Sequence, residues 1–231
     1  MHIRLPILLR WLRPWWIVPE SSVGKASLSN EARLLELEAR VRKLEDLLEI
    51  QQLQSRYAYC LLTQRYRKIV EDCFAKKAEG IFIEFSDSGV FNGRQGVERL
   101  FKAFEATKEI PGFFTLHMTV NPVIVIAKDG LSARSTWLSP GASASSAGAR
   151  WIWGPYYVDY IREDGRWRIH RSLFAPLFRN RYEQSWVEET DHGSVKGPLA
   201  ALADAPPSLY RPYDRTRKNL FSDYPELPEE S

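Results

Sequence analysis

Residues Phe113–Leu138, FFTLHMTVNPVIVIAKDGLSARSTWL, carry the reading of the fold. Phe113 to Ile126 is dense in β-branched and aromatic side chains and reads as one long strand. Lys128-Asp129-Gly130 reads as a hairpin turn, because Asp-Gly supplies the positive φ that tight hairpins require. Leu131 to Leu138 is then the return strand. Downstream, Arg150 to Arg162 reads as a third strand, Glu163-Asp164-Gly165 as a second turn and Arg166 to Leu173 as a fourth strand. Ser139 to Gly148, mostly Ser, Ala and Gly with one Pro, reads as a flexible loop.

Upstream the period is helical. Ser29 or Asn30 suits an N-cap, with Glu31 in the first turn. Leu34, Leu37, Val41, Leu44 and Leu48 alternate spacings of three and four, an a/d seam of about two heptads. Such a seam is short for a free coiled coil, so it is expected to pack on the domain or on a sister subunit. The helix continues through Leu53 and Tyr57 to Leu62. A second helix covers Tyr66 to Phe74 and a third Gly93 to Phe104, with Gly96, Val97, Leu100, Phe101 and Phe104 on one side.

Helices followed by a meander predict an α+β fold: a cone-shaped, curved antiparallel sheet wrapped by helices, with a cavity inside. The organisation expected is an N-terminal arm (1–30), a core domain (31–189) and an irregular Pro-rich C-terminal extension (190–231).

The chain has 231 residues, 44% apolar and 26% charged, which excludes wholesale disorder. Arg4, Arg10 and Arg13 account for the excess of base over acid, so the rest is neutral and no nucleic-acid partner is expected. Eight Trp, ten Tyr and eleven Phe can fill a core and still line an apolar pocket. Cys60 and Cys73 make no framework or zinc spacing, and a reducing, cytoplasmic setting is expected. The first nineteen residues are too short and too interrupted to span a membrane, and they lack a cleavage signal. They read as an arm the fold ignores, or as an anchor that uses Trp11, Trp15 and Trp16.

Several stretches together resemble the SnoaL-like branch of the nuclear transport factor 2-like superfamily. They are Arg56-Tyr57-Ala58-Tyr59 on a helix, His117-x-x-x-Asn121-Pro122-x-Ile124 on a strand, and Asp129-Gly130-x-x-Ala133. A fourth is Tyr157-x-Asp159-x-x-x-Arg162-x-Asp164-Gly165-x-Trp167-Arg168-Ile169-x-x-Arg171. The resemblance runs from about Leu44 to Trp186. It implies the α+β cone, dimers or trimers, and chemistry without a cofactor, as in scytalone dehydratase, bile-acid dehydratase and polyketide cyclases. The long N-terminal helix and Pro-rich tail are also similar to sphingomonad diarylpropane lyases, which remove formaldehyde from lignin-derived aryl diols. One departure matters: where the family often carries an acid/base Asp five residues after the tyrosine, this chain has Leu62.

His117 is the candidate catalytic base or acid. The resemblance places it in the pocket, and imidazole titrates near neutrality. Tyr57 and Tyr59 are its candidate catalytic partners; they lie roughly 200° apart around the helix, so one of them at most points squarely inward. Asn121, four residues after His117 on one strand, shares its face and is a candidate substrate contact. Trp137, Trp153, Tyr157 and Asp159 complete the candidate substrate-binding set; Trp151 shares the parity of Trp153, Tyr157 and Asp159, and Tyr156 and Tyr160 have the other. No metal-ligand spacing occurs, and no cofactor is expected. These residues point to a cofactor-independent lyase that eliminates water or formaldehyde from an apolar, hydroxylated aromatic molecule. A binding or assembly module, and an isomerase or cyclase on the same scaffold, are the alternatives. A homo-oligomer is expected, joined through the sheet or the N-terminal helix.

Overall fold

The computed structural model describes residues 29–188, 197–216, 218 and 224–228. The arm with Trp11, Trp15 and Trp16 lies outside the described residues. The chain divides into two compact units, Met1–Arg40 and Val41–Ser231. In the first, the described part is the opening of helix α1 (Asn30–Leu62). Ser29 caps it: its Oγ accepts the Ala32 N–H at 3.2 Å, one of the donors a helix start leaves unpaired.

In the second unit α1 acquires a buried face, with Ile50, Leu53, Tyr57 and Leu61 recurring every three or four residues. Asp46 and Glu49 tie the helix to the sheet. Asp46 pairs with Arg162 and accepts the Trp167 indole N–H at 3.0 Å, while Glu49 accepts the Trp167 backbone N–H at 2.9 Å. Where the pattern predicts one helix from Tyr66 to Phe74, a short α2 (Tyr66–Lys68) passes into a π-helical turn, Ile69–Cys73. Helix α3 (Gly93–Glu105) buries Gly96, Val97, Leu100 and Phe101, as its spacing predicts.

The sheet contains β1 (Phe82–Phe85), β2 (Gly89–Asn92), β3 (Phe114–His117), β4 (Val120–Ile126), β5 (Ser132–Ser145), β6 (Gly148–Glu163), β7 (Arg166–Phe174) and β8 (Phe178–Arg181). Its order is β2-β1-β7-β6-β5-β3, with β4 also on β5 and β8 also on β6. The long β5–β6 hairpin is the spine. Each of its strands changes partner along its length: β5 from β4 to β3, and β6 from β7 to β8. The result is a curved, unclosed sheet with helices against one face, which is the α+β architecture expected.

Three expectations are corrected. The sheet is mixed, because β1 runs parallel to β7. The long strand from Phe113 is two strands: pairing lapses after His117, and a bulge follows with Asn121 at φ +50°. The Ser139–Gly148 loop is largely strand; β5 runs to Ser145, flanked by β3 and β6. Its small residues are a packing requirement, since a Cβ on Gly141 would come within 2.9 Å of the Leu116 and Ile152 carbonyls and His117 Nδ1. The four-residue strands β1, β2 and β8 carry too little periodicity to be read in advance.

The described part of the C-terminal extension is irregular apart from one 3-10 turn, Ala200–Leu202, but it is anchored. Val90 and Ala205 form a bridge, Asp204 accepts the Asn92 N–H at 2.7 Å, and Arg99 pairs with Asp204 at 2.6 Å. Gly89 makes room for it: at φ +136°, any Cβ there would stand 2.6 Å from that of Ala203.

Candidate active site

A cavity of about 390 Å³ opens between the sheet, the end of α1, α3 and the C-terminal extension. Its wall is mostly rings and aliphatic groups, among them Leu61, Phe85, Phe104, Phe113, Ile152 and Phe174. Pro198 and Leu199 of the extension close part of it. The polar groups on this wall include His117, Tyr156, Arg179, Arg150 and Ser88.

His117 ends β3 opposite Gly141 of β5. It is buried, its ring edge-on to Phe174 at 5.1 Å, and its Nδ1 has no hydrogen-bond partner. Burial first, and the Arg179 cation second, push its pKa down to about 3, so the imidazole is neutral at physiological pH. Tyr156 stacks on Phe174 at 4.5 Å, and burial holds its phenol protonated far above the ordinary range. Arg179 comes from β8. Its Nε and Nη2 reach Oδ2 of Asp87 at 2.8 and 2.6 Å, and Asp87, in the β1–β2 turn, is itself buried. Ser88 Oγ donates to the other carboxylate oxygen at 3.3 Å. A neutral base, a protonated phenol and a paired guanidinium thus converge on one apolar chamber.

The sequence-predicted residues divide. His117 lines the chamber. Tyr57 is buried just behind it, edge-on to Tyr156 at 6.2 Å, and burial raises its phenol well above the ordinary range. Tyr59 is corrected: it lies on the outer side of α1, 56% exposed. Asn121 is exposed at the bulge, because the break after His117 cancels the shared parity of the two residues. Trp137 is buried but structural; its indole N–H donates to Ser135 Oγ at 2.7 Å, in a network that runs through Tyr160 to Gln54 of α1.

Trp153, Tyr157 and Asp159 face away from the chamber. On β6 the buried side chains are Ile152, Tyr156, Val158 and Tyr160. The alternation had the right period, and the chamber took the other parity. Trp153 is 45% exposed and stacks on Phe178. Tyr157 and Asp159 border a separate polar hollow beside Pro225–Pro228, where burial pushes the Tyr157 phenol up to about 12. Asp159 stands 3.7 Å from Arg134.

Sequence reasoning missed Tyr156, Arg179 and Asp87. The parity of Ile152, Tyr156, Val158 and Tyr160, more continuously apolar than its partner set, was the signal for the first. Asp87 sits in Ser-Asp-Ser-Gly, a turn signature, but nothing local marks its pairing with Arg179, 92 positions on. Among the described residues, no three His, Cys, Asp or Glu side chains cluster as metal ligands, and no helix is long and apolar enough to cross a membrane.

The chain belongs to the SnoaL-like domain family, whose model matches residues 42–172, in the nuclear transport factor 2-like class. Among solved structures, it is similar to a scytalone dehydratase-like protein of Novosphingobium aromaticivorans, with 16% identity over 63% of this chain and 93% of that one and a TM-score of 0.54. A hexachlorocyclohexane dehydrochlorinase, LinA-type3, of Novosphingobium barchaimii shares 12% identity over 63% of this chain and 96% of that one, at a TM-score of 0.53. A Kribbella flavida protein shares 15% identity over 60% and 95%, at 0.51. No curated protein matches in sequence. These likenesses establish the fold, and they lend no support to a close relation with diarylpropane lyases.

Proposed function

We propose that this chain is a cofactor-free lyase that eliminates a small group, water or formaldehyde, from an apolar, hydroxylated, ring-bearing molecule. The observation that carries the reading is a neutral, buried His117 beside Arg179 on the wall of an aromatic chamber. The elimination enzymes among the similar structures, a dehydratase-like protein and a dehydrochlorinase, support the reaction type.

For loss of water, His117 takes the proton from the carbon next to the one bearing the hydroxyl. The C–H electrons form the double bond, the C–O bond breaks, and the leaving oxygen is protonated by the imidazolium, or by Tyr156, which then recovers a proton from the imidazolium. Burial and Arg179 both destabilise the imidazolium, which weakens His117 as a base in the empty chamber; negative charge developing on a substrate oxygen beside Arg179 offsets that cation, and the imidazolium then gives up its proton readily. Arg179 stabilises negative charge as it develops on oxygen, in a chamber where few solvent dipoles compete. Rings on the wall suit an aromatic substrate.

The test is a mass-spectrometric screen of aryl-diol, steroid and polyketide alcohols for products lighter by one water or one formaldehyde. His117→Ala should fold and lose about two to four orders of magnitude in turnover. Full activity in a folded His117→Ala overturns the reading. A carrier that binds without turnover is the second reading, favoured by Leu62 where the family often has Asp. It predicts ligand uptake by parent and variant alike, and product from neither.

A further inference from the structure

Helix α1 has two apolar stripes, and the described fold covers one. Ile50, Leu53, Tyr57 and Leu61 belong to the core, whereas Leu34, Leu37, Val41, Leu44 and Leu48 are each between 51% and 65% exposed. At about 100° per residue, Val41, Leu44 and Leu48 lie on roughly the opposite side of the helix from Ile50, Leu53, Tyr57 and Leu61. The rotation that buries Ile50 therefore leaves Leu44 and Leu48 facing outward.

The charges beside the exposed stripe select what covers it. With Leu34, Val41 and Leu48 at a and Leu37 and Leu44 at d, the g positions are Arg33 and Arg40 and the e positions are Glu38 and Glu45. In a parallel, in-register pair, each g residue meets the e residue of the next heptad on the other helix. Arg33 then meets Glu38 and Arg40 meets Glu45, on both sides of the seam. Antiparallel pairing sets g against g and e against e, so Arg meets Arg and Glu meets Glu. Valine at the central a position, between leucines at both d positions, suits two strands.

We propose that α1 pairs in parallel and in register with α1 of a second copy of this chain. The seam is short, but the helix that bears it runs on into a buried stretch from Ile50, so nucleating it adds no separate cost.

The test uses the full chain. Leu37→Cys places a thiol at d, where this pairing brings the two copies of the residue together, and the native Cys60 and Cys73 are buried. Under mild oxidation Leu37→Cys should run as a covalent dimer on a non-reducing gel, while Arg42→Cys, at an outward b position, should not. Adding Glu38→Arg and Glu45→Arg should abolish the cross-link at unchanged helicity, and adding Arg33→Glu and Arg40→Glu to those should restore it. A Leu37→Cys chain that fails to cross-link overturns the proposal, including one whose copies associate through the sheet alone. Cross-linking that persists in the charge-reversed background, or is equal in Arg42→Cys, overturns it as well.

Discussion

The guanidinium of Arg179 holds the carboxylate of Asp87 from two of its nitrogens, at 2.8 and 2.6 Å, and Asp87 is 1% exposed. The pair joins the late strand β8 to the β1–β2 turn and fixes a cation beside the chamber. Removing one member of a buried ion pair costs about 3–5 kcal/mol, because the other charge is stranded. Arg179 keeps some access to water, so Asp87→Asn should sit near about 3 kcal/mol, read by urea unfolding. Arg179→Gln should also raise the His117 pKa, since the cation is one of its two depressing influences. A histidine NMR titration unmoved by Arg179→Gln would show that burial acts alone.

His117 makes stability depend on pH in a defined direction. Its pKa falls from 6.5 to about 3 on folding. Above 6.5 the ring is neutral in both states and contributes no slope. As pH falls from 6.5 towards 3, the unfolded chain takes up a proton that the folded chain refuses, and stability drops by at most about 1.4 kcal/mol per pH unit. His117→Gln should flatten this part of the profile. Parallel curves for parent and variant would refute the assignment.

Gly141→Ala should displace the imidazole. The new methyl would meet the Leu116 and Ile152 carbonyls at 2.8 Å and His117 Nδ1 at 2.9 Å. Overpacking of this kind costs about 1–3 kcal/mol, and here it also moves the proposed base. Turnover should fall by more than in Ala142→Gly, a change at the neighbouring half-buried position. Equal turnover in the two variants would mean that the position of His117 is unimportant.

The tyrosines should separate by location. Tyr59→Phe should leave turnover unchanged, because the ring stands outside the chamber. Tyr156→Phe keeps the stacking on Phe174 and deletes the chamber's phenol, so a loss of about two orders of magnitude or more is expected if it is the acid. Kinetics on both variants, with matched circular dichroism, check this.

Glu84 anchors the C-terminal extension. Its carboxylate is 2% exposed and accepts the Ser208 N–H at 2.6 Å, the Ser208 hydroxyl at 2.7 Å and the Leu209 N–H at 3.3 Å. Glu84→Gln turns one acceptor oxygen into a donor facing donors. Proteolysis within residues 197–216 should accelerate, while the sheet stays protected. An unchanged cleavage pattern would mean that the Asp204 and Ala205 contacts suffice.

Local patterns in the sequence determined the start of α1, the buried face of α3, the β4–β5 and β6–β7 turns, and the motifs that mark the SnoaL-like family. Each depends on neighbours within a few residues: a cap three positions away, apolar side chains every third or fourth, a glycine where φ must be positive. His117 was legible for the same reason, as one histidine within a motif. What only the tertiary structure decided is which side of each strand became the inside. Trp153, Tyr157 and Asp159 satisfy the alternation as well as Ile152, Tyr156 and Val158 do. The choice between them rests on where α1 and α3 pack; the more continuously apolar parity of β6 points to it, but a period of two by itself does not contain that information. The Asp87–Arg179 pair and the parallel β1–β7 contact likewise join segments about ninety positions apart. Attraction between distant charges and pairing between distant strands form when the whole chain closes, so neither leaves a local mark.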